Sequence, residues 1–433
     1  MNFLTAKNMK SSENSKSTIN NWMRCFIAGL FFFYEFIQMN MFNALSLGLL
    51  KSFNLNASQL GNLSACYFYG MLVSLLPAGL LLDYIITKRL ILISMSVSII
   101  GTILFSISNS LLEAELSRFL SGLGGAFAFQ CSLRIAADNF PLARLALVNG
   151  LIITFAMLGG IFAQTPMTML MELFDWHQVL FIYASIGIIF LATITIGLSE
   201  KPSPKIHLLK NFKNDNYKIH TGIAKIKLAI RNRQTWLAGL YICLFNLPVP
   251  LLGATWGSLY LTHIDHLSRV EASNVISMLF FGIMIGGPLF GWWSDSIGKR
   301  RLPMLLGGFC ALITTLLIIN FSSLSGVSLM VLFFLLGLFS STQAIGYSVI
   351  TESNTHSCST ALSIASLLVM GGGAIAQPFF GWLMDYHWHG SMNDQARTHV
   401  FEHFSSAILI LPISFFIGLL VIIFLKDSHC QSK

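Results

Sequence analysis

The chain has 433 residues, of which 55% are hydrophobic and only 10% are charged, and its mean hydropathy is +0.71. An ordinary soluble domain carries roughly 25% charged residues, so this composition excludes a soluble fold and predicts that lipid surrounds most of the protein. The net charge of +8 could indicate a nucleic-acid partner, but the basic residues lie in short loops between apolar runs, so we expect no nucleic acid to bind.

Residues 1–21 are polar and predict a cytoplasmic tail, and the first apolar run is too long for a cleavable signal peptide. Twelve apolar runs follow, each long enough to cross a ~30 Å hydrocarbon layer as a helix. The predicted spans are 22–48, 58–86, 90–110, 112–137, 146–170, 176–198, 234–261, 271–294, 302–321, 326–350, 359–384 and 404–425.

The distribution of basic residues predicts the orientation of the chain. If the N-terminus is cytoplasmic, 22 of the 26 lysines and arginines fall on the cytoplasmic side and only three on the opposite side. The loop 199–233 is the longest and the most basic, and it predicts a cytoplasmic linker between two halves. Within it, residues 220–232 favour a short amphipathic helix on the membrane surface, with a calmodulin-like partner helix as the alternative. Residues 426–433 predict a cytoplasmic C-terminal tail.

An internal repeat divides the chain. The segment GLLLDYIITKR, which contains Asp83, is similar to GWWSDSIGKRR, which contains Asp295. GGIFAQTP and GGAIAQPF match Gln164 with Gln377, and FLSGLGG and FLLGLFS match Gly122 with Gly337. The three matches occur in the same order and at nearly one offset along the chain. They predict an all-α protein of two pseudo-symmetric six-helix bundles, 22–198 and 234–425, with a substrate site at their interface.

The loop after the eighth predicted span carries a motif whose physics can be read. Gly291 is expected to let two helices approach closely. Asp295 is expected to end a helix and to meet the N-terminus of a neighbouring helix or pair with an arginine. Gly298 is expected to permit a tight turn. Three basic residues are expected to remain in the cytoplasm: Lys299, Arg300 and Arg301.

The copy in the first half is incomplete. Four of its residues match the motif: Gly79, Asp83, Lys88 and Arg89. Tyr84 replaces the usual basic residue and Ile86 the usual turn glycine, so a full charge network is not expected on that side.

GWWSDSIGKRR resembles the loop signature of the major facilitator superfamily, and the segment Arg118-Phe-Leu-Ser-Gly-Leu-Gly-Gly-Ala126 resembles its RxxxGxGxA pattern. The segments FYEFIQMNMFNAL, FNLNASQLGNLSACYFYGM and LPVPLLGATWGSLYL resemble the phagosomal nutrient transporters of intracellular gammaproteobacteria and, more distantly, the lysosomal dipeptide transporter group. The resemblance covers Trp22 to about Leu425. It implies the major facilitator fold and uptake of amino acids, small peptides or nucleosides with protons. It also implies that the two Asp-containing loops act as conformational gates that lock one face closed, and the alternative is that they only anchor the topology.

Two ionisable residues lie inside predicted spans. Glu35 lies roughly 20 Å along the first helix, near the middle of the bilayer, where a lone carboxylate costs at least ~2.5 kcal/mol. It must face a cavity, be paired or be protonated, which makes it a candidate proton carrier; the alternative is a neutral packing residue. Arg118 lies about 10 Å inside the fourth helix and could bind a substrate carboxylate, steer protons or snorkel to the interface. Arg134 is expected to pair with Asp138.

Further residues in the spans are candidates for the substrate cavity, with an interhelical hydrogen bond as the alternative for each: Gln38, Tyr67, Gln130, Gln164, Asn246, Trp256, Gln343, Tyr347 and Gln377. Gln164 and Gln377 occupy matching places in the repeats and predict a pair on opposite walls of one cavity. Seven cysteines form no CxxC pair, so neither a disulfide framework nor a zinc site is expected. HWH spacing is compatible with a metal, but solvated side chains are the expectation for His387, His389, His399 and His403.

These observations predict a secondary active transporter of the bacterial inner membrane, not an enzyme, that takes up amino acids, small peptides or similar nutrients with protons. We expect a functional monomer in the lipid bilayer, with a small-molecule substrate and without a cofactor or metal. A proton-driven exporter of drugs or metabolites and a non-transporting nutrient sensor are the alternatives. Absence of GxxxGPxxGG from the fifth helix weakens the exporter hypothesis, and absence of a Walker motif argues against ATP-driven transport.

Overall fold

Apolar segments in lipid must satisfy every backbone N–H and C=O group without water, and a helix does so within a single segment. This computed structural model describes residues 2–140, 142–198, 227–264, 266–321, 324–354, 358–386 and 404–426. Every regular element among these residues is a helix. The described helices group along the chain into twelve segments, which we call spans 1–12, so the predicted all-α architecture is confirmed.

The first half contains spans 1–6 and the second half spans 7–12. Span 1 comprises Asn2–Asn40 and Phe42–Ser52, span 2 Ala57–Tyr84, span 3 Thr87–Ser106, span 4 Leu111–Gly125 and Phe127–Asn139, span 5 Leu142–Phe162 and Thr165–Leu173, and span 6 Trp176–Gly197. Span 7 comprises Arg233–Asn246, the π-helix Val249–Trp256 and Gly257–Ile264, span 8 Arg269–Ile297, span 9 Arg301–Asn320, span 10 Gly326–Ser340 and Gln343–Ser353, span 11 Cys358–Tyr386, and span 12 Phe404–Ala407 and Ile410–Phe424.

Eight helices of the described residues are long and apolar enough to cross a membrane when short breaks are bridged. The two helices of span 1, bent by 43°, count as a ninth. Spans 2, 4 and 12 complete the two six-helix halves by position in the repeat. Bends and breaks such as the one in span 1 are tolerated in membrane helices where the freed backbone groups find other partners.

The structure extends or leaves open several predicted boundaries. The first helix begins at Asn2 and not near residue 22, so most of the predicted tail is helical. Residues 199–226 of the predicted linker lie outside the described residues, as do the four histidines between 387 and 403. Residues 227–231 are helical, with Leu228 and Ile230 exposed, at the end of the stretch predicted as an amphipathic surface helix.

Side-chain caps mark where several of the described helices begin. We call the end that holds residues 53–56 the outer end and the end that holds residues 298–300 the inner end, and these ends are predicted to face the periplasm and the cytoplasm. Five spans begin at the outer end with a side chain that accepts a hydrogen bond from the first helical turn: Asn56, Ser110, Asp175, Ser268 and Ser325. Such caps satisfy donors that the helix itself leaves free, and they fix where each span starts.

Reciprocal glycine contacts pack span 2 against span 4 and span 8 against span 10. Gly70 of span 2 faces the backbone of span 4, and Gly122 of span 4 faces the backbone of span 2. The second half repeats this arrangement, with Gly282 of span 8 against span 10 and Gly337 of span 10 against span 8. The two pairs are related by the repeat offset, so the same close backbone approach is built into both bundles.

Apolar packing joins the two halves at the outer end. One buried cluster contains inner-end residues of the first half alone, among them Phe31, Met95 and Cys131. The other cluster runs from the outer part of the first half, including Phe42 and Trp176, into the second half without interruption. The hydrophobic core is therefore continuous between the halves at the outer end and divided toward the inner end.

We expect Gly337→Ala to destabilise the protein, because the added Cβ would meet the carbonyl oxygen of Leu279 at the backbone contact between spans 8 and 10. Overpacking of this kind costs typically about 1–3 kcal/mol. Gly371→Ala in span 11 is the matched control, since a Cβ there meets no atom within 4 Å. Thermal unfolding of the detergent-solubilised variants measures the difference, and equal melting temperatures would contradict the packing described here.

Candidate functional site

A buried carboxyl group lies in the first half of the bundle. Glu35 of span 1 is 3% exposed, and its Oε2 accepts a hydrogen bond of 2.8 Å from the hydroxyl of Tyr67 on span 2. A Cβ on Gly125 of span 4 would lie 2.6 Å from the same oxygen, so a glycine is needed there to admit the carboxyl group. Glu35 Oε1 has no hydrogen-bond partner among the described residues. The carboxyl group is thus enclosed by protein and only half satisfied.

Arg118 of span 4 is fully buried beside this group. Its guanidinium carbon lies 4.8 Å from the ring centroids of both Phe42 and Tyr67 and 5.9 Å from that of Phe105. Aromatic faces attract a cation at such distances. Within the described part of the chain, none of its three guanidinium nitrogens has a hydrogen-bond partner. Complete burial rules out the alternative in which Arg118 snorkels to the interface.

Tyr67 connects the two ionisable residues. Its hydroxyl group donates to Glu35, and the face of its ring contacts the guanidinium group of Arg118. Gln38, one turn beyond Glu35, is also fully buried, and neither polar atom of its amide has a partner among the described residues. Four of the predicted residues therefore converge, and we call Glu35, Gln38, Tyr67 and Arg118 the charged cluster.

Span 7 is interrupted at the outer side of the bundle by the π-helix Val249–Trp256, all of whose residues are buried. A π-helix replaces the usual backbone pairing and is frequent at functional sites. Asn43 of span 1 donates from Nδ2 to the carbonyl oxygens of Leu252 and Gly253, each at 2.5 Å. Its Oδ1 accepts from the backbone N–H of Ser258 at 3.0 Å. The first half thereby holds this irregular segment of the second half by side-chain hydrogen bonds.

Gln164 and Gln377 bind the same π-helix. Gln164 Nε2 donates to the carbonyl oxygen of Gly253 at 2.8 Å and to that of Asn40 at 3.3 Å. Gln377 Nε2 donates to the carbonyl oxygen of Pro250 at 3.1 Å. The prediction that the two glutamines line opposite walls of one cavity is therefore wrong for this conformation, because the closed outer end brings both amides onto one segment.

Trp256 closes the end of this π-helix. Its ring is fully buried and stacks on Phe380 with centroids 5.2 Å apart and an interplanar angle of 21°. The indole Nε1 has no hydrogen-bond partner in the part of the chain that the structure describes. Together with Gln164 and Gln377, the residue belongs to the closed outer end.

The other predicted cavity residues lie toward the inner end and are less buried. Tyr347 is 36% exposed. Asn246 and Gln343 are half-buried. Gln130 is also half-buried and donates to the carbonyl oxygen of Leu75 at 3.4 Å. The described hydrogen bonds connect none of these four residues to the charged cluster.

The motif after span 8 forms a charge network within the second half. Arg300 is buried and binds Asp295 at 2.5 Å and Glu352 of span 10 at 2.7 Å. Its Nη1 also donates to the hydroxyl of Ser294 at 3.0 Å. Burial lowers the pKa of Arg300, but the hydrogen bonds and charges of Glu352 and Asp295 outweigh it, so the pKa lies above its ordinary value. Arg300 is thus the arginine that pairs with Asp295, which is one of the two contacts that the motif predicted for this aspartate.

Two glycines of this motif behave differently. Gly298 has φ of 63°, a left-handed conformation that ends span 8 and forms the predicted turn. A Cβ on Gly291 would meet no atom within 4 Å, so the predicted close helix approach at this glycine is wrong. Lys299 is exposed, and Arg301 donates to the carbonyl oxygen of Ile423 at 3.1 Å.

The first-half copy of the motif lies where span 2 ends and span 3 begins. Gly79 and Asp83 lie near the end of span 2, and Arg89 lies in the first turn of span 3. Lys88 donates to the carbonyl oxygen of Thr195 on span 6 at 2.8 Å.

Arg134 of span 4 pairs with Asp138 on the same span at 3.5 Å, as predicted.

Three residues at these sites escaped the sequence interpretation. Asn43, in the segment FYEFIQMNMFNAL of span 1, was not among the predicted site residues. Glu352 and Asp138 are separated by nearly the repeat offset, which could have identified Glu352 as a repeat-related acid. Asp385 follows Gln377 on span 11 and accepts hydrogen bonds from span 2, and no local pattern marks it.

Comparison with known sequences identifies relatives among transporters. The uncharacterized transporter YybO of Bacillus subtilis is 25% identical over 364 residues, which cover 77% of this chain and 80% of that protein. The probable galactarate/D-glucarate transporter GudP of the same organism is 24% identical over 339 residues, covering 70% and 72%. The D-galactonate transporter of Escherichia coli is 22% identical over 279 residues, covering 59% and 65%.

Solved structures with the same fold include a bacterial homolog of the human lysosomal transporter Spinster, in an inward-facing and unoccupied conformation. The TM-score is 0.76 at 15% identity, over 94% of this chain and 98% of that one. A variant of the nucleoside transporter NupG matches with a TM-score of 0.70 at 14% identity, over 92% and 99%. Residues 27–265 and 247–432 each match the Major Facilitator Superfamily. Twelve spans in two repeated halves and a match along nearly the whole chain make this protein a member of the major facilitator superfamily of membrane transporters.

Proposed function

We propose that the protein is a proton-coupled importer of amino acids, small peptides or similar small nutrients, working by alternating access in a bacterial inner membrane as a functional monomer. The observation that carries this proposal is the charged cluster. Glu35 is buried and half satisfied, and Tyr67 joins it to an arginine without a described hydrogen-bond partner. A buried ionisable group inside a membrane is costly and is typical of ion and substrate pathways.

The proton step follows from the surroundings of Glu35. When the outer end opens, the carboxyl group takes up a proton from the periplasmic side, which removes the cost of enclosing a charge in the closed bundle. When the inner end opens, the nearby guanidinium group of Arg118 favours the carboxylate form and promotes proton release. Tyr67 keeps its hydroxyl group directed at the carboxyl group in both forms.

The substrate step assigns Arg118 and the polar residues to selection. A guanidinium group presents donors that match a carboxylate, and amino acids and peptides carry one. Two relatives are named as transporters of galactarate/D-glucarate and of D-galactonate, and these solutes also carry carboxylates. The amides of Gln130, Asn246 and Gln343, with the Tyr347 hydroxyl, offer donors and acceptors for the rest of the ligand near the inner end.

A thermal-shift screen of the purified protein tests the substrate class. We expect single amino acids or dipeptides to raise the melting temperature, because a ligand that binds only the folded protein stabilises it. The panel also includes nucleosides, galactarate and D-galactonate. Stabilisation by the sugar acids alone would overturn the amino-acid proposal and leave a transporter of organic anions.

Glu35→Gln is expected to abolish proton-driven accumulation, since an amide cannot take up and release a proton at neutral pH. Exchange of labelled against unlabelled substrate, which needs no net proton movement, is expected to persist. Both are measured in proteoliposomes with an amino acid found in the screen and an imposed proton gradient. Glu172→Gln, at an exposed carboxylate of span 5, is the matched control and is expected to behave as the unaltered protein.

The same assay separates the alternatives. An exporter would accumulate substrate against the direction of proton flow, and a sensor would bind ligand in the thermal-shift screen without any flux. Proton-driven accumulation that survives in Glu35→Gln would remove Glu35 from the mechanism.

Arg300→Lys is expected to destabilise the inner end of the second half, because one ammonium group cannot reproduce the guanidinium bonds to Asp295, Glu352 and Ser294. Hydrogen bonds to charged groups contribute about 1.5–3 kcal/mol each, so the melting temperature falls measurably. Lys299→Arg is the matched control at the neighbouring exposed position. An unchanged melting temperature in Arg300→Lys would contradict the network.

A further inference from the structure

A carboxylate bridges the two halves at the outer end. Asp385 lies near the C-terminal end of span 11, and its two oxygens accept hydrogen bonds from the N-terminus of span 2 in the other half. The backbone N–H of Ala57 donates to Oδ1 at 3.1 Å, and that of Ser58 donates to Oδ2 at 2.7 Å. The first turn of span 2 is thus capped in part by the opposite half of the protein.

Span 2 leaves these two donors available by its own sequence. The first N–H groups of a helix have no partner within the helix. Asn56 accepts from the N–H of Gln59, and the Gln59 side chain accepts from the N–H of Asn56. This capping box does not reach Ala57 and Ser58, whose N–H groups point at Asp385. The positive end of the helix dipole favours a carboxylate at this position.

Close packing positions Asp385. Gly381, one turn earlier on span 11, faces the backbone of Ala57 and Ser58. Reciprocally, Gly61 on span 2 faces the backbone of Gln377 and Pro378, where a Cβ would stand 2.5 Å from the Gln377 carbonyl oxygen. Two glycines, Gly61 and Gly381, therefore bring the backbones of spans 2 and 11 together. We call this contact between the halves a seam, and the carboxylate of Asp385 lies at its outer end.

The repeat-related seam, between spans 5 and 8, lacks this arrangement. Glu172 corresponds to Asp385 at the same offset that relates the two glutamines, but it is exposed. The N-terminus of span 8 is capped by its own Ser268 and Glu271. Hydroxyl and amide groups join this seam: Thr165 to Asn274 at 2.7 Å and Thr168 to Ser273 at 2.6 Å. Among the described residues, a carboxylate of one half caps a helix of the other half between spans 2 and 11 but not between spans 5 and 8.

We propose that Asp385 is a latch that holds the outer end closed and sets the balance between inward-open and outward-open molecules. The inference rests on the proposed alternating access, since only opening of the outer end separates Asp385 from span 2. Opening leaves two helix N–H groups and a carboxylate without their partners, and water must replace them. The closed outer end is favoured by this difference.

Hydrogen–deuterium exchange of the full-length protein in nanodiscs tests the latch without any substrate or proton gradient. Asp385→Asn removes the charge and keeps one acceptor, and Asp385→Ala removes both. We expect faster exchange in residues 57–61 and also on the distant seam, residues 165–168 and 273–277, because the whole outer end opens more often. A shift of about tenfold in the opening equilibrium is expected for Asp385→Ala, which corresponds to about 1.4 kcal/mol.

Two matched controls separate a latch from an ordinary helix cap. Asp175→Asn alters a cap within the first half, where Oδ1 accepts from the N–H of Gln178 at 2.9 Å. Glu172→Gln alters the repeat-related carboxylate. Neither is expected to change exchange on the two seams. Faster exchange confined to the first turn of span 2, or unchanged exchange in both Asp385 variants, would overturn the proposal.

Loss of transport does not enter this test. If the protein proved to be a sensor that never opens its outer end, the distant seam would not respond to Asp385 while ligand binding in the thermal-shift screen remained. If the substrate class alone were wrong, the exchange result would stand. Should Asp385→Ala fail to fold, Asp385→Asn still decides the outcome.

Discussion

The hydrogen bond from Tyr67 to Glu35, with the Arg118 guanidinium group on the face of the same tyrosine, is the interaction around which the first half is organised. It places an acid and a base inside a bundle that lipid surrounds, where neither could stay alone without a large free-energy cost. Small residues make this possible: Gly122 lets span 4 approach the backbone at Tyr67, and Gly125 admits the carboxyl group. Gly122 is a glycine of the RxxxGxGxA pattern, and Gly125 lies at one of its variable positions.

The two halves share their framework but differ in their chemistry. Reciprocal glycines at equivalent positions pack span 2 against span 4 and span 8 against span 10. On this common frame, the first half carries the charged cluster within the membrane, and the second half carries the Arg300 network at the inner end and the π-helix of span 7. The same glycine packing is therefore combined with different polar groups in the two halves.

Much of the architecture was predictable from the sequence because its causes are local. Apolar length gave the spans, and the repeat offset gave the two halves. Glu35 and Arg118 stood out because charge inside a span is rare. The pairing of Gln164 and Gln377 with one π-helix was not predictable, since it depends on which end of the bundle is closed. The prediction for Gly291 was wrong because a motif glycine permits a close backbone approach but does not require one. Asp385 was missed because its partners are backbone N–H groups of the opposite half, far away in the chain.

Three side chains that donate hydrogen bonds to backbone carbonyl groups of the π-helix of span 7, Asn43, Gln164 and Gln377, are carboxamides. A carboxamide neither gains nor loses a proton at physiological pH, so these contacts do not depend on pH in that range. Uncharged amides therefore hold the π-helix of span 7, whereas a carboxylate, Asp385, joins spans 2 and 11 at the same end of the bundle.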